Sequence, residues 1–208
     1  MYGATKQNLT TTRQLSAGKH ENVKLERIAK EPARSDGTGQ TVLRFYFDID
    51  GHKFSHTEFP VNEERVVENY YRYPKRGSMA PRSKEEAVEM AIENVNRRVN
   101  HILMGFLPVN EILSGLAQTE SWDDYCDKVV QLAGNSFEAE TFRVKLVYND
   151  KGYVCFPLYP FFIQNIKEED NLIINPNKDR IIRPVIAITE PVNSSDVLEV
   201  TAEEVYEF

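Results

Sequence analysis

Val42-Leu43-Arg44-Phe45-Tyr46-Phe47-Asp48-Ile49-Asp50-Gly51-His52-Lys53-Phe54-Ser55-His56-Thr57-Glu58-Phe59 is the stretch that decides the fold class. Side chains alternate across a strand, so Leu43, Phe45, Phe47 and Ile49 share one face, while Val42, Arg44, Tyr46 and Asp48 share the other. Asp50-Gly51 is the dipeptide of a type I′ turn, whose two central residues need positive φ. The second strand therefore runs back antiparallel from His52 and ends at Phe59, before Pro60.

Working outward, Val23 to Ile28 reads as a preceding strand, ended by the polar, glycine-containing stretch from Pro32 to Gln40. Downstream, Ser83-Lys84-Glu85-Glu86 is a capping box. It opens a helix whose Val88, Ile92, Val95, Val99, Ile102 and Phe106 form one apolar stripe. A short helix through Ile112 and Leu116 follows Pro108, and a third carries Trp122, Tyr125, Val129 and Leu132 to Gly134. Strand periodicity returns at Thr141 to Tyr148, with Phe142, Val144, Leu146 and Tyr148 on one face and Arg143, Lys145 and Val147 on the other. The turn Asn149-Asp150-Lys151-Gly152 leads into a strand from Tyr153 to Leu158. Phe156, Leu158, Tyr159, Phe161 and Phe162, bracketed by Pro157 and Pro160, read as a cap over a barrel end. Ile173-Ile174 and the run from Ile181 to Ile188 are candidate edge strands.

Three strands, a helical block and two strands make a mainly β chain with an OB-like five-stranded barrel, its helices between the third and fourth strands. The organisation read from this order is a flexible polar arm at 1–17, an OB-like domain at 18–190 with its helical insertion at about 83–134, and an acidic tail at 191–208. The length, with 41% hydrophobic and 27% charged residues, suits a globular domain of this size. Residues 1–17 contain no apolar run of signal-peptide type, so a cytoplasmic protein without a membrane span is expected. Cys126 and Cys155 lie far apart and outside any CxxC, which fits a reducing compartment.

A net charge of −7 argues against a phosphate-binding surface, yet the charge is segregated. Asp196, Glu199, Glu203, Glu204 and Glu207 supply five of the seven excess negative charges within 196–208, whereas Lys6 and Arg13 sit in an arm without acids. Phosphate-loop, dinucleotide, zincin and nucleophile-elbow motifs are all absent, so an enzyme is disfavoured and no cofactor or catalytic residue is assigned. His52 and His56 stand four residues apart on a strand, about 13 Å, too far to share a metal, and none is expected.

The segment from Tyr70 to Lys84 holds Tyr70, Tyr71 and Tyr73 with Arg72, Lys75, Arg76, Arg82 and Lys84, and not one acid. Cations that follow phosphates and rings that stack on any base are what a single strand needs; the bland alternative is a solvated linker. Tyr46 adds a ring, and Arg44, Arg143 and Lys145 add cations at outward strand positions. The tail residues Asp196, Glu199, Glu203, Glu204, Tyr206, Glu207 and Phe208 form an anion with a terminal aromatic group, suited to a partner's basic-rimmed apolar pocket or to the protein's own cationic groove.

Gly18-Lys19-His20-Glu21-Asn22-Val23-Lys24-Leu25, Leu43-Arg44-Phe45-Tyr46-Phe47, Ser55-His56-Thr57-Glu58-Phe59 and the acidic tail ending on Phe208 resemble the single-stranded-DNA-binding proteins of tailed bacteriophages. The resemblance implies an OB fold that coats single-stranded DNA during replication, recombination and repair. It also implies a tail that recruits replication proteins such as polymerase or helicase-primase. The chain departs from the bacterial single-stranded-DNA-binding proteins in its long helical block and in a less acidic tail. The rival expectation is a structural or adaptor protein of a virion, with the helical block as its assembly interface.

Overall fold

The computed structural model describes residues 15–72, 82–117 and 119–184. Among these residues three strands precede and three follow a block of four helices: β1 Gly18–Pro32, β2 Thr41–Ile49, β3 His52–Glu58, α1 Glu63–Glu68, α2 Lys84–Leu103, α3 Val109–Gly115, α4 Trp122–Ala133, β4 Phe142–Tyr148, β5 Val154–Cys155 and β6 Ile163–Asn165, with one 3₁₀ turn at Tyr70–Arg72. All strand pairings are antiparallel, and the sheet order is β3-β2-β1-β4-β5, with β6 also on β4.

The β2–β3 hairpin follows from the alternation and turn chemistry of its sequence. Asp50 and Gly51 have φ of 53° and 82°, as a type I′ turn demands, and the Asp48 carboxylate accepts the Gly51 N–H at 2.7 Å. β1 is much longer than its apolar run because it serves two partners. Gly18 to Val23 pair with β4, and Val23 to Pro32 pair with β2, with register shifts at His20/Val23 and Leu25/Arg27. Such bulges bend and twist a strand, which lets one ribbon turn from one neighbour to the other.

The helical block is no separate lobe. Val99, Ile102 and Leu103 of α2 and Tyr125, Cys126, Val129 and Ala133 of α4 share one core with Phe45, Phe47, Phe142, Val144, Leu146, Phe156 and Phe162. The Ser83 capping box forms as its sequence predicts. Within the stripe on α2, Val95, Val99 and Ile102 are buried, whereas Ile92 is exposed.

The antiparallel sheet interrupted by helices agrees with the sequence, but it is not a closed barrel. β5 pairs with β4 only through Val154 and Cys155, not over the expected Tyr153 to Leu158, since Pro157 has no N–H to continue a ladder. Among the described residues no pairing joins β3 to β5. The expected edge strand at Ile173-Ile174 is irregular chain, as is the described part of Ile181 to Ile188; residues 185–188 lie outside the described residues. Of the supposed cap, Phe156 and Phe162 are buried, while Leu158 and Phe161 are exposed. No described helix is long and apolar enough to cross a membrane.

Candidate functional site: the open edge between β3 and β5

Where a closing pair of strands is missing, aromatic rings span the gap. Phe156 packs edge-on against Phe47, Phe54 and His56 with centroids 5.4, 5.2 and 5.2 Å away, and lies stacked on Phe162 at 4.7 Å. Over these rings runs a groove of about 680 Å³, within the range of roughly 300–1,000 Å³ typical of small-ligand sites. One wall is β3 from Phe54 to Glu58 with Phe59; the other is the β4–β5 turn and the chain from Val154 to Tyr159. Arg44, Arg98, Lys151, Lys178 and Arg180 reach this groove, against the carboxylates of Glu58 and Asp150.

Two buried ion clusters fix the walls. On the β3 side, Arg98 donates to both oxygens of Glu58 at 2.6 and 2.7 Å, and His56 Nε2 lies 2.9 Å from Glu58 Oε1. Burial pushes the Glu58 carboxyl up, but the hydrogen bonds from Arg98 and His56 outweigh it and hold the group below its ordinary value. On the other side, Lys145 donates to Asp179 at 3.1 Å and to the Ile173 carbonyl at 3.1 Å, and its ammonium lies 4.9 Å from the Tyr159 ring centre. Asp179 also accepts the Tyr159 hydroxyl and the Asn175 N–H. Burial raises the Tyr159 hydroxyl, and its bond to Asp179 raises it further. Arg180 pairs with Asp150 across the groove mouth and accepts the Tyr148 N–H on its carbonyl.

His101 on α2 anchors the loop beyond the groove. Its Nε2 accepts the N–H groups of Phe161, Phe162 and Ile163 at 2.9, 3.1 and 3.4 Å. Burial lowers its pKa to about 4, which keeps the ring neutral and Nε2 free to accept. Cys155 lines the groove, but burial pushes its thiol up to about 11, and that of the buried Cys126 up to about 12, so neither is an activated nucleophile. Among the described residues no three His, Cys, Asp or Glu side chains gather as a metal site.

The residues singled out from the sequence fall into three groups. Arg44 does line the groove, though it is held by Glu31 at 2.7 Å, Thr57 at 3.1 Å and the Ala33 carbonyl at 3.2 Å. Tyr46 stands on the same sheet face but outside the groove, its hydroxyl on Glu31 at 2.5 Å and its ring 4.2 Å below the Arg27 guanidinium.

The β4 cations need correction: the chain after β6 folds over their face. Arg143 donates to the carbonyls of Glu168 and Ile166 at 2.9 and 3.0 Å, and Lys145 is buried in its ion pair instead of pointing outward.

In the tyrosine segment, the Tyr70 and Tyr71 rings meet edge-on at 6.4 Å, with the Lys84 ammonium 5.9 Å from Tyr70. Arg82 has a buried Nε with no hydrogen bond among the described residues. Tyr73, Lys75 and Arg76, the side chain of Arg72, residues 1–14 of the arm and the whole tail from Asp196 to Phe208 lie outside the described residues.

The sequence reading missed Arg98, Lys178, Arg180, Phe54, Tyr148 and Tyr159. The Asn175-Pro176-Asn177-Lys178-Asp179-Arg180 turn, with its two cations, was the available signal. Compared with protein-family models, curated proteins and solved structures, the chain matches none.

Proposed function

We propose that this protein binds single-stranded nucleic acid, DNA in the first place, without sequence preference, and that the strand lies along the open edge of β3. The groove carries the proposal: five cations surround an aromatic floor at an unpaired sheet edge, and rings with cations grip a strand whatever its sequence. The strand order β3-β2-β1-β4-β5, with β1 shared between β2 and β4, supports reading the sheet as an OB-type Greek-key barrel opened between its third and fifth strands. In that architecture, oligonucleotides lie on the strand 2–3 face and against the loops after strands 1 and 4. On this reading the contacts fall to Arg44 of β2 and Lys151 of the β4–β5 turn, both of which line the groove. The segment from Tyr70 to Lys84 supplies further rings and cations of the kind a single strand needs, and the acidic tail is the segment through which replication proteins are recruited.

Fluorescence anisotropy with a labelled thymidine oligonucleotide, titrated at several salt concentrations, tests this reading. Affinity is expected to fall with salt on a log–log slope of about 0.7 per phosphate contact, and a Lys151→Ala/Lys178→Ala double variant should flatten that slope. Absence of binding at low salt sinks the proposal. A second reading, an assembly interface on the helical block, draws on the exposure of Met104, Val109 and Leu113. It predicts large stable oligomers without nucleic-acid affinity.

A further inference from the structure

Phe161 is the least expected residue of the molecule. Its φ is 70°, a region that bulky side chains rarely enter, and the residue is 70% exposed. Glycine would occupy this backbone without strain, and an exposed ring contributes little to the core. The conformation is nonetheless held from both sides: the N–H groups of residues 161–163 converge on His101 Nε2, and Phe162 is fully buried on Phe156. Strain of this kind persists only where the surroundings over-determine it, and it concentrates at binding sites.

The ring stands at a second cavity of about 350 Å³, walled by Tyr159, Asn171, Ile173, Asn175 and Lys178. Tyr159 and Lys178 also line the main groove, so the two spaces adjoin across these side chains. The Lys178 ammonium makes no ion pair among the described residues, and the side-chain amide of Asn171 makes no hydrogen bond among them. A ring, an unengaged cation and an amide around one cavity match the three parts of a nucleotide: a base face, a phosphate and a base edge.

The geometry points to a nucleotide subsite at this cavity, in which Phe161 stacks on one unpaired base of the bound strand and Lys178 takes its phosphate. The subsite rests on the proposed binding of single-stranded nucleic acid and names where the strand leaves the groove. His101 is the positioning residue that presents the ring.

The test compares the full chain with its Phe161→Ala and Phe161→Trp variants on a thymidine oligonucleotide and on the same length of abasic sugar-phosphate. Phe161→Ala should bind the thymidine strand roughly five- to a hundredfold more weakly, the range of base–ring stacking, and the abasic strand as the parent does. Phe161→Trp should retain affinity and be quenched on binding, against the steady signal of the parent's single tryptophan, Trp122. Equal loss on both strands, or an unquenched Trp in a binding-competent variant, overturns the subsite while leaving the proposed function intact. A change of oligomeric state with unchanged affinity overturns it in favour of a protein contact. A parent that binds neither strand removes the function and the subsite together.

Discussion

β1, β2 and β3 pair over long registers, nine residue pairs between β1 and β2 and seven between β2 and β3, whereas β4 meets β5 at two and β6 at three. The first half of the sheet is a long ladder, bulged at Leu25/Arg27, with apolar residues on its inner face. The second half has little ladder. It is held by side chains that clamp backbone: Lys145 and Asp179 on the 173–175 stretch, Arg143 on 166–168, His101 on 161–163. A ladder loses stability gradually as pairs are removed, while a clamp fails when one buried polar group is left alone. The groove lies along the boundary between the two, with a rigid β3 wall and a clamped opposite wall.

The largest test of that contrast is Asp179→Ala. It leaves the buried Lys145 ammonium without its carboxylate, and breaking such a pair costs about 3–5 kcal/mol. Urea unfolding should show the loss, and hydrogen exchange should place the increased opening in the 166–180 stretch, sparing β1 to β3. Replacing both partners together, Lys145→Met with Asp179→Leu, should restore most of the stability, because no charge is then stranded. If the double variant is as unstable as the single, the clamp is not electrostatic and the comparison fails.

His101 offers a smaller, reversible version. Its folded pKa of about 4 lies below the ordinary 6.5, so between these values the unfolded chain binds a proton that the folded chain does not. Stability from this residue is complete above pH 6.5 and is lost as pH falls towards 4, at most about 3 kcal/mol for a shift of this size. Stability measured by denaturant titration at pH 7, 5.5 and 4.5 should therefore decline. His101→Phe should flatten that decline, at the cost of a lower starting value for three N–H groups without an acceptor. A parent equally stable at pH 7 and 4.5 contradicts the assignment.

The same division explains how far the sequence could be read. Alternation, a turn dipeptide and a capping box are local signals, and they located β2, β3, β4 and the start of α2 to within a residue or so, while α2 ends at Leu103, three residues short of the Phe106 that its periodicity includes. The reach of β1 to Gly18 was hidden, because its first residues are polar and carry no apolar alternation. The candidate site was less legible. Lys145 and Arg143 alternate with apolar residues as solvent-facing cations do, and only the later stretch folding over them makes them structural. The groove joins β3, α2, the β4–β5 turn and residues near 180, which no local pattern connects.

The smallest effect separates ladder from clamp most directly, because one substitution can be made at two comparable turns. Gly51 ends the β2–β3 turn with φ 82°, and Gly152 sits in the β4–β5 turn with φ 73°. Gly51 is exposed and Gly152 buried, but the backbone strain of an alanine in this left-handed region is about 1–2 kcal/mol at either place. At Gly51 the strain is shared with seven residue pairs and the core beneath Phe45 and Phe47, so stability should fall with little change in local exchange. At Gly152 only two pairs resist it, so the same strain should be relieved by local opening. The expected result for Gly152→Ala is faster amide exchange at Val154 and Cys155 and weaker oligonucleotide binding, since that turn forms a groove wall. Equal exchange behaviour in the two variants would mean that the β4–β5 turn draws its order from elsewhere than the short ladder, and the boundary between the two halves would have to be moved beyond it.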